Sequence, residues 1–237
     1  MNNDFLFGAM GDSITTGFNA ESASDNLIHS WATGAANVGS HKDRLERVFP
    51  GLKVVPVNAA VAGARADALV SQVTRLLAVG VPDYVTILIG ANDLHAWLMS
   101  GEYGAALAQF KRNVEDAVRR LVAANGRLMI VLSGIPDQSR VLALALRASG
   151  GPAARLLAEL PPALLASLQG GYGERWNRAN EALATVAAAF PSNMRFVTKT
   201  PRVRFAPEHL STLDFYHPSV AGQKLLADVT WEQGWFP

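Results

Sequence analysis

The sequence of 237 residues contains no cysteine, and this absence excludes several kinds of chemistry. It rules out a disulfide framework, a thiolate nucleophile and a metal site built on thiolates. Neither sign of charge is in excess, because 21 lysines and arginines stand against 20 aspartates and glutamates. The basic residues are scattered and form no long run, so nucleic acid is not an expected partner.

Long hydrophobic runs are also missing. No apolar stretch approaches the roughly 20 residues of a membrane-spanning helix, so no transmembrane segment is expected. The first ten residues, MNNDFLFGAM, lack the basic start and the long apolar stretch of a secretory signal. The sequence therefore predicts either a cytoplasmic protein or a secreted one whose leader was removed, and it leaves the oligomeric state open.

Several common signatures of catalysis and cofactor binding are absent as well. The sequence has no H-E-x-x-H zinc helix, no glycine-rich phosphate or dinucleotide loop, and no G-x-S-x-G turn of the α/β-hydrolase type. Four of the five histidines lie in polar or loop-like sequence and are predicted to be surface groups: His29, His41, His95 and His209. We therefore expect no metal and no cofactor.

What the sequence does contain is a regular alternation of short apolar runs and longer helical patterns. The apolar runs have the composition of buried parallel strands. They are residues 5–10, 53–59, 83–90, 127–134 and 194–198. This alternation predicts a three-layer α/β/α sandwich with a central parallel sheet. No internal repeat or low-complexity linker interrupts it, so residues 1–237 are predicted to form one domain.

Residues 141–173 depart from this alternation. Four leucines recur there at helical spacing across two adjacent prolines, Pro161 and Pro162, and glycine pairs stand at 150–151 and 170–171. Because proline interrupts a helix, the pattern predicts two short helices hinged at the prolines. This apolar insertion is interpreted either as extra helices that cover the sheet or as a cap over the active site.

Three of the predicted strands end in residues that suit acyl-transfer chemistry. The first is followed by Gly11-Asp12-Ser13, the second leads into a loop that contains Gly63, and the third is followed by Asn92. Each of these residues alone is more typical of a turn or a helix cap. Together they would lie at the carboxyl ends of parallel strands, where such sheets bind ligands. They would supply a nucleophilic hydroxyl and three donors for an oxyanion.

A serine nucleophile needs a base, and the C-terminal region offers one. Asp214 stands three residues before His217, a spacing that places both side chains on one face of a helical turn. The carboxylate would then orient the imidazole and stabilise it once it has taken the serine proton. The sequence therefore predicts a catalytic triad of Ser13, Asp214 and His217, with an oxyanion hole formed by Ser13, Gly63 and Asn92.

Four short blocks, in this order, resemble the SGNH or GDSL-type hydrolase family. They are GDSIT at 11–15, NAAVAGA at 58–64, GAND at 90–93 and DFYH at 214–217, and they span most of the chain. The first block carries isoleucine where the family name calls for leucine. The resemblance implies a flavodoxin-like three-layer fold and ester hydrolysis through an acyl-enzyme, with no cofactor.

The resemblance also implies a role for each matching residue. Ser13 would be the nucleophile, His217 the base and then the acid, and Asp214 the group that orients the histidine. The N–H groups of Ser13 and Gly63 and the amide of Asn92 would bind the oxyanion. These roles restate, from the family pattern, the triad and the oxyanion hole that the spacing predicts.

The expected substrate is a small-molecule or lipid ester. The segment HSWATG at 29–34 is similar to the lipolytic, phospholipase-B-like branch of the family, which favours acyl or lipid-like esters and export from the cell. Two alternatives stay open. One is an acetyl-esterase that acts on carbohydrate or aryl esters. The other is a catalytically silent binding module of the same fold.

Overall fold

A computed structural model of the protein describes residues 4–100, 103–137 and 162–236. At its centre lies a five-stranded sheet whose neighbouring strands are all parallel, in the order β2-β1-β3-β4-β5. The strands are β1 (Asp4–Gly11), β2 (Lys53–Asn58), β3 (Tyr84–Leu88), β4 (Met129–Ser133) and β5 (Met194–Val197). Each strand coincides with one of the predicted apolar runs. The predicted parallel sheet is confirmed.

Helices in the described ranges pack on both faces of this sheet. They are α1 (His41–Val48), α2 (Leu69–Val79), α3 (Ala91–Ser100), α4 (Tyr103–Ala124), α5 (Pro162–Ala189) and α6 (Val220–Glu232). Short 3-10 turns occupy Leu27–His29, Ala66–Ala68, Thr200–Arg202 and Pro207–His209. One core forms between the sheet and α2, α4 and α5, and the other between the sheet and α1 and α6. The α/β/α sandwich with flavodoxin-like strand order is therefore confirmed.

The helices form where the sequence provides a cap and an apolar face. In α4, Phe110, Val114 and Val118 recur every four residues, and all three are buried. At the start of α1, the Ser40 hydroxyl accepts a hydrogen bond from the Asp43 N–H at 3.2 Å, which satisfies one of the free donors of the first turn. Within the described ranges, no helix combines the length and the apolarity needed to cross a bilayer.

The strand order reverses direction between β1 and β3. The chain runs from β1 outward to β2 and then returns to the other side of β1 to form β3. Open parallel sheets bind ligands at the carboxyl ends of the strands that flank such a reversal. Ser13 follows β1 and Asn92 follows β3, so the topology places both residues at this edge of the sheet.

The predicted pair of helices over 141–173 needs a correction in the part that the structure describes. Residues 138–161 lie outside the described residues, and from Pro162 a single helix, α5, runs through the glycine pair at 170–171 without ending. Proline is tolerated in the first turn of a helix, which explains the start. A glycine inside a helix costs roughly 1 kcal/mol. Burial of later residues such as Leu183 offsets this cost. The choice between cap and scaffold stays a prediction.

The prediction that four histidines lie at the surface is wrong. His29 and His41 are buried, and His95 and His209 are half-buried. Their sequence neighbours are polar, which made them look exposed, but each imidazole makes a hydrogen bond within the folded chain. The Nε2 atom of His29, for example, lies 2.7 Å from Glu21 Oε2.

His41 is held in its neutral form inside the core. Its Nδ1 lies 2.8 Å from the Tyr84 hydroxyl of β3, and its Nε2 lies 2.8 Å from the Thr230 hydroxyl of α6. Burial lowers the pKa of His41 from 6.5 to about 3, and the nearby charge of Arg44 adds to this effect. A protonated imidazole would gain no carboxylate partner here, because both hydrogen-bonding partners are hydroxyl groups.

We expect this histidine to make the folded state less stable as the pH falls. Below its ordinary pKa of 6.5 the unfolded chain binds a proton at His41, whereas the folded chain does not until about pH 3. Each pH unit in this window therefore removes up to about 1.4 kcal/mol from the free energy of unfolding. Urea unfolding at several pH values, for wild type and for His41→Gln, measures the effect.

Glutamine keeps a donor and an acceptor at this position but does not titrate, so the variant should lose less stability than wild type on acidification. All other titrating groups are common to the two proteins and cancel in the comparison. Parallel stability curves for wild type and His41→Gln between neutrality and about pH 4 would contradict the assignment.

Candidate active site

Strand β1 ends in a turn that presents Ser13 at the edge of the sheet. Gly11 has a φ of 148°, and a Cβ atom there would lie 2.2 Å from the carbonyl oxygen of Leu88 in β3. Only glycine therefore fits where the turn leaves the sheet. The next residue, Asp12, accepts a hydrogen bond from the Ile14 N–H through Oδ1 at 3.0 Å. This local bond shapes the turn around the serine.

Two buried glutamines hold this nucleophile turn, and sequence reasoning missed both. Gln72 of α2 accepts from the Gly11 N–H and donates to the Gly11 carbonyl, both at 2.8 Å. Gln223 of α6 donates to the Ile14 carbonyl and accepts from the Trp31 N–H, both at 2.9 Å. A long polar side chain on the apolar face of a helix was the available signal, since buried amides need partners.

The nucleophile turn and the loop before α6 meet at hydrogen-bonding distance. Ser13 Oγ lies 2.9 Å from His217 Nε2, although 204 positions separate the two residues. His217 Nδ1 lies 2.7 Å from Asp214 Oδ2. The other carboxylate oxygen, Oδ1, accepts the backbone N–H groups of Tyr216 and His217, both at 2.9 Å. The structure thus brings the three residues of the predicted triad into one chain of hydrogen bonds.

The electrostatics of Asp214 suit a carboxylate that supports an imidazolium. Burial raises the pKa of Asp214, but hydrogen bonds from Asn19, His217 and Tyr216 outweigh burial, and the net pKa lies below its usual range. The carboxylate is therefore ionised at neutral pH. A negative charge at this position stabilises the imidazole when it accepts a proton.

Aromatic rings pack around the imidazole of His217. The ring centroid of Phe18 lies 5.0 Å from it, and that of Tyr216 lies 5.1 Å away at an interplanar angle of 88°. The Tyr216 hydroxyl in turn lies 3.2 Å from Nε2 of His95 on α3. Burial, helped by the charges of nearby carboxylates, raises the pKa of Tyr216, so it stays a neutral phenol. These contacts limit rotation of the imidazole away from the serine.

The two other predicted oxyanion residues lie on loops attached to the same edge. Gly63 has a φ of 78° and open space where a Cβ would stand, so a ligand can approach its backbone closely. Asn92 donates from Nδ2 to the Ala64 carbonyl at 2.9 Å, which joins the start of α3 to the glycine loop. The Val61 N–H donates to the Gly11 carbonyl at 3.2 Å and ties the loop to the end of β1.

Donors for an oxyanion are available on these loops. Within the described part of the chain, the N–H groups of Ser13 and Gly63 donate to no protein acceptor. The amide nitrogen of Asn92 carries a second hydrogen besides the one that it gives to Ala64. An oxygen that becomes negative beside Ser13 could therefore accept hydrogen bonds from these N–H groups.

Two buried carboxyl groups lie behind these loops. Asp12 is fully buried, and its Oδ2 has no hydrogen-bond partner among the described residues. Burial raises the pKa of Asp12 to about 7, and the neighbouring Asp93 contributes to the shift. Asp93 accepts from the Ala66 N–H at 3.1 Å, and burial raises its pKa to about 6. Much of the negative charge behind the nucleophile turn is therefore neutralised near pH 6.

Comparison with known proteins places the chain in a family. The sequence profile of the GDSL-like lipase/acylhydrolase family matches residues 9–225, and the chain belongs to this family of esterases and acylhydrolases. A GDSL-like esterase of Mycobacterium tuberculosis is 28% identical over 220 residues, which are 92% of this chain and 58% of that protein. The chain thus spans little more than half the length of this curated relative.

Solved structures share the fold at low sequence identity. A lipase/acylhydrolase from Enterococcus faecalis superposes with a TM-score of 0.60 at 20% identity, over 96% of this chain and 94% of that one. An acetyl xylan esterase from Geobacillus stearothermophilus gives a TM-score of 0.58 at 19% identity, over 97% and 94% of the two chains. The resemblance to SGNH and GDSL-type hydrolases noted in the sequence is confirmed.

Proposed function

We propose that this protein is a serine esterase that hydrolyses acyl or lipid-like carboxylic esters through an acyl-enzyme. The observation that carries the proposal is the contact of 2.9 Å between Ser13 Oγ and His217 Nε2, continued from Nδ1 to Asp214 at 2.7 Å. A hydroxyl in this position loses its proton to the imidazole as it attacks a carbonyl carbon. Membership of an esterase and acylhydrolase family supports this chemistry.

Acylation begins when Ser13 Oγ forms a bond to the carbonyl carbon of the ester. His217 Nε2 takes the hydroxyl proton, and Asp214 stabilises the resulting imidazolium. The carbonyl oxygen becomes negative and accepts hydrogen bonds from the N–H groups of Ser13 and Gly63 and from the Asn92 amide. The bond from carbon to the alkoxy oxygen then breaks, His217 returns its proton to that oxygen, and the alcohol leaves.

Deacylation repeats these steps with water. A water molecule attacks the acyl carbon while His217 Nε2 takes one of its protons, and the same three donors bind the second oxyanion. The bond to Ser13 Oγ breaks, and the proton returns from His217 to the serine. The carboxylic acid leaves, and Ser13 and His217 are back in the protonation states from which acylation began.

Apolar side chains on the loops of the site favour an acyl chain over a bare acetyl group. Val61, two residues before Gly63, is 39% exposed, and Leu213, which directly precedes Asp214, is 51% exposed. The half-buried ring of Phe18 lies against His217. An acyl chain that covers these groups would remove apolar surface from water.

A panel of esters with one common leaving group and acetyl, butyryl, octanoyl or lauroyl acids tests the substrate class. We expect kcat/KM to rise from acetyl to the medium chains by up to about fourfold for each methylene that becomes buried, since burial contributes about 0.8 kcal/mol. Val61→Ser and Leu213→Ser should flatten this dependence. Val79→Ser makes the same change as Val61→Ser on a side chain that is 61% exposed at the end of α2, and it should leave the dependence on chain length unchanged.

A sharp preference for the acetyl ester would overturn the substrate class and leave the triad in place. The alternative would then be an acetyl-esterase for carbohydrate or aryl esters.

Asn92→Ala should lower kcat by roughly 10²- to 10³-fold, the usual cost of one lost oxyanion donor. The variant also loses the bond of 2.9 Å to the Ala64 carbonyl, so the glycine loop would be held less firmly. Steady-state kinetics with the best ester of the panel measures the change. Asn113→Ala is the matched control, because Asn113 is a half-buried asparagine of α4 whose amide oxygen accepts a hydrogen bond from Gln109. A kcat within threefold of wild type (about 0.7 kcal/mol) would remove Asn92 from the donor set.

A further inference from the structure

The Asp214 carboxylate has a hydrogen-bond partner from the other end of the chain. Asn19 Nδ2 lies 2.7 Å from Asp214 Oδ2, the same oxygen that pairs with His217 Nδ1. The donors on Oδ1, by contrast, are the backbone N–H groups of Tyr216 and His217, which belong to the same turn as the aspartate. Among the described residues, Asn19 is thus the donor that ties the carboxylate to a separate element.

The orientation of the Asn19 amide is fixed by its own loop. Its Oδ1 accepts the Ser24 N–H at 3.0 Å, so the NH₂ group has to face Asp214. The Asn19 N–H also donates to the Ser24 carbonyl at 2.9 Å. The backbone of Asn19 has a φ of 56°, in the left-handed region that asparagine enters more readily than other residues with a side chain. The residue type, the backbone conformation and the hydrogen bonds therefore all favour an Asn19 amide whose NH₂ group faces Asp214.

Asn19 also holds the loop of the triad at a second point. Its carbonyl accepts the Ser211 hydroxyl at 2.5 Å. Ser211 in turn donates its N–H to the His217 carbonyl at 2.8 Å, and its hydroxyl oxygen accepts the Leu213 N–H at 3.1 Å. Within this loop Phe215 has a φ of 53°, a conformation that surrounding contacts must maintain in a residue with a bulky side chain.

We propose that Asn19 is a positioning residue that holds the Asp214 carboxylate in the orientation that His217 needs. This inference rests on the proposed function, in which His217 takes a proton from Ser13. Because the amide and the imidazole both bind Oδ2, the carboxylate cannot turn away from the ring. Burial raises the pKa of Asp214, and the Asn19 bond is the largest of the contributions that bring it below its usual range.

Other titratable groups lie near Asn19 and Asp214, on each element that packs against these two residues. They are Tyr216 and His217 on the loop of Asp214, Asp12 on the nucleophile turn, His95 on α3, and Glu21 and Asp25 on the loop of Asn19. His95 is in contact with Tyr216, whose pKa both Asp12 and Asp214 influence after burial. Glu21 is bound to His29 and Asp25 to Thr16, so neither competes for the amide.

The first test is Asn19→Gly. Glycine adopts a φ of 56° without strain, so the variant removes the amide while the backbone and its bond to Ser211 remain. We expect kcat to fall roughly 10- to 100-fold, the effect of one hydrogen bond to a charged group, with KM unchanged within about twofold. Ser24→Gly is the matched control because Ser24 also has a positive φ, of 89°, and binds Asn19 through its backbone. Its kcat should stay at the wild-type value.

Asn19→Asp is the second test and keeps the shape of the side chain. It places two carboxyl groups in contact, and such a pair shares one proton at low pH. The protonated form donates to Asp214 as the amide did, whereas the fully ionised pair repels. We therefore expect the ratio of kcat in Asn19→Asp to kcat in wild type to rise as the pH falls. A loop tether without a role in orientation would leave this ratio flat.

Ser13→Ala, assayed in parallel, distinguishes a failure of the proposed function from a failure of the role of Asn19. Turnover in Ser13→Ala would overturn the proposed function itself. An inactive Ser13→Ala together with wild-type kcat in Asn19→Gly, or with an equal loss in Ser24→Gly, would overturn the role of Asn19 alone. If thermal unfolding shows that Asn19→Gly does not fold, the pH dependence of the Asn19→Asp ratio decides: a rise towards acid pH supports the role, and a flat ratio overturns it.

Discussion

Ser13→Ala should lower ester turnover on the order of a millionfold, because the proposed mechanism forms the acyl-enzyme on the Ser13 hydroxyl. The substitution removes one oxygen from a half-buried position and leaves the turn intact, since Gln72 and Gln223 hold its backbone. The residual rate would come from the oxyanion donors acting on bound ester and water. Stopped-flow assays with a chromogenic ester measure both the burst of acylation and the steady state, and the variant should show no burst and only the residual steady-state rate.

The matched control for this experiment is Ser71→Ala. Ser71 is exposed on α2, and its hydroxyl donates to the Ala68 carbonyl of the preceding turn. Its removal should leave the burst and kcat unchanged. Near-normal turnover in a purified, folded Ser13→Ala protein would refute the assignment of the nucleophile.

Asp214→Asn should lower kcat by about 10⁴-fold with little change in overall structure. Both carboxylate oxygens of Asp214 accept hydrogen bonds: Oδ2 from Asn19 and His217, and Oδ1 from two backbone N–H groups. The substitution replaces one of these two oxygens with an amide nitrogen, and at either position that nitrogen faces hydrogen-bond donors. If it faces the imidazole, His217 has to accept at Nδ1 and carry its hydrogen on Nε2, where it can no longer take the proton of Ser13.

Steady-state kinetics over the pH range in which Asp214 is ionised measures this loss. Asp228→Asn, which changes a half-buried carboxylate of α6 that is bound to Arg44 and Lys224, controls for the loss of one negative charge. A loss of less than about tenfold in Asp214→Asn, or an equal loss in the control, would show that the carboxylate does not set the tautomer of His217.

The sheet and its functional edge could be predicted because their signals are local. Buried parallel strands consist of short continuous apolar runs, and each of the five runs became a strand. The order of the strands is not local information, but the turn after β1 and the asparagine after β3 indicated which strand ends would meet. Ser13, Asp214 and His217 could be named because each lies in a short block with its own spacing and family resemblance.

The residues that hold this site could not be predicted, because their partners are distant in the chain. Gln72 and Gln223 bind backbone groups of the nucleophile turn, and Asn19 binds a carboxylate 195 positions away. A long polar side chain on an apolar helix face can signal that Gln72 or Gln223 is buried, but nothing in the neighbouring sequence indicates which distant groups these amides bind. The same applies to His41, whose burial depends on hydroxyl groups from β3 and α6.

In helix α5 a local sequence signal was present but predicted the wrong boundary. The glycine pair at 170–171 predicted a boundary, yet the helix runs through it to Ala189. Tertiary packing outweighs the low helix propensity of glycine there, because residues of the second half of α5, such as Leu183 and Val186, are buried in the core. A local signal for a helix end is therefore weak where an apolar face continues beyond it.

Covalent labelling examines the nucleophile without any assumption about the substrate. Folded protein is treated with a fluorophosphonate, digested, and mapped by mass spectrometry, with the acid-unfolded chain and His217→Ala as comparisons. We expect one phosphonyl group on Ser13 in the folded wild type and greatly reduced labelling in both comparisons, because the hydroxyl reacts only when the imidazole removes its proton. An unlabelled folded protein, as expected of a silent binding module, or an adduct on a different residue, would contradict the assignment of Ser13 as an activated nucleophile.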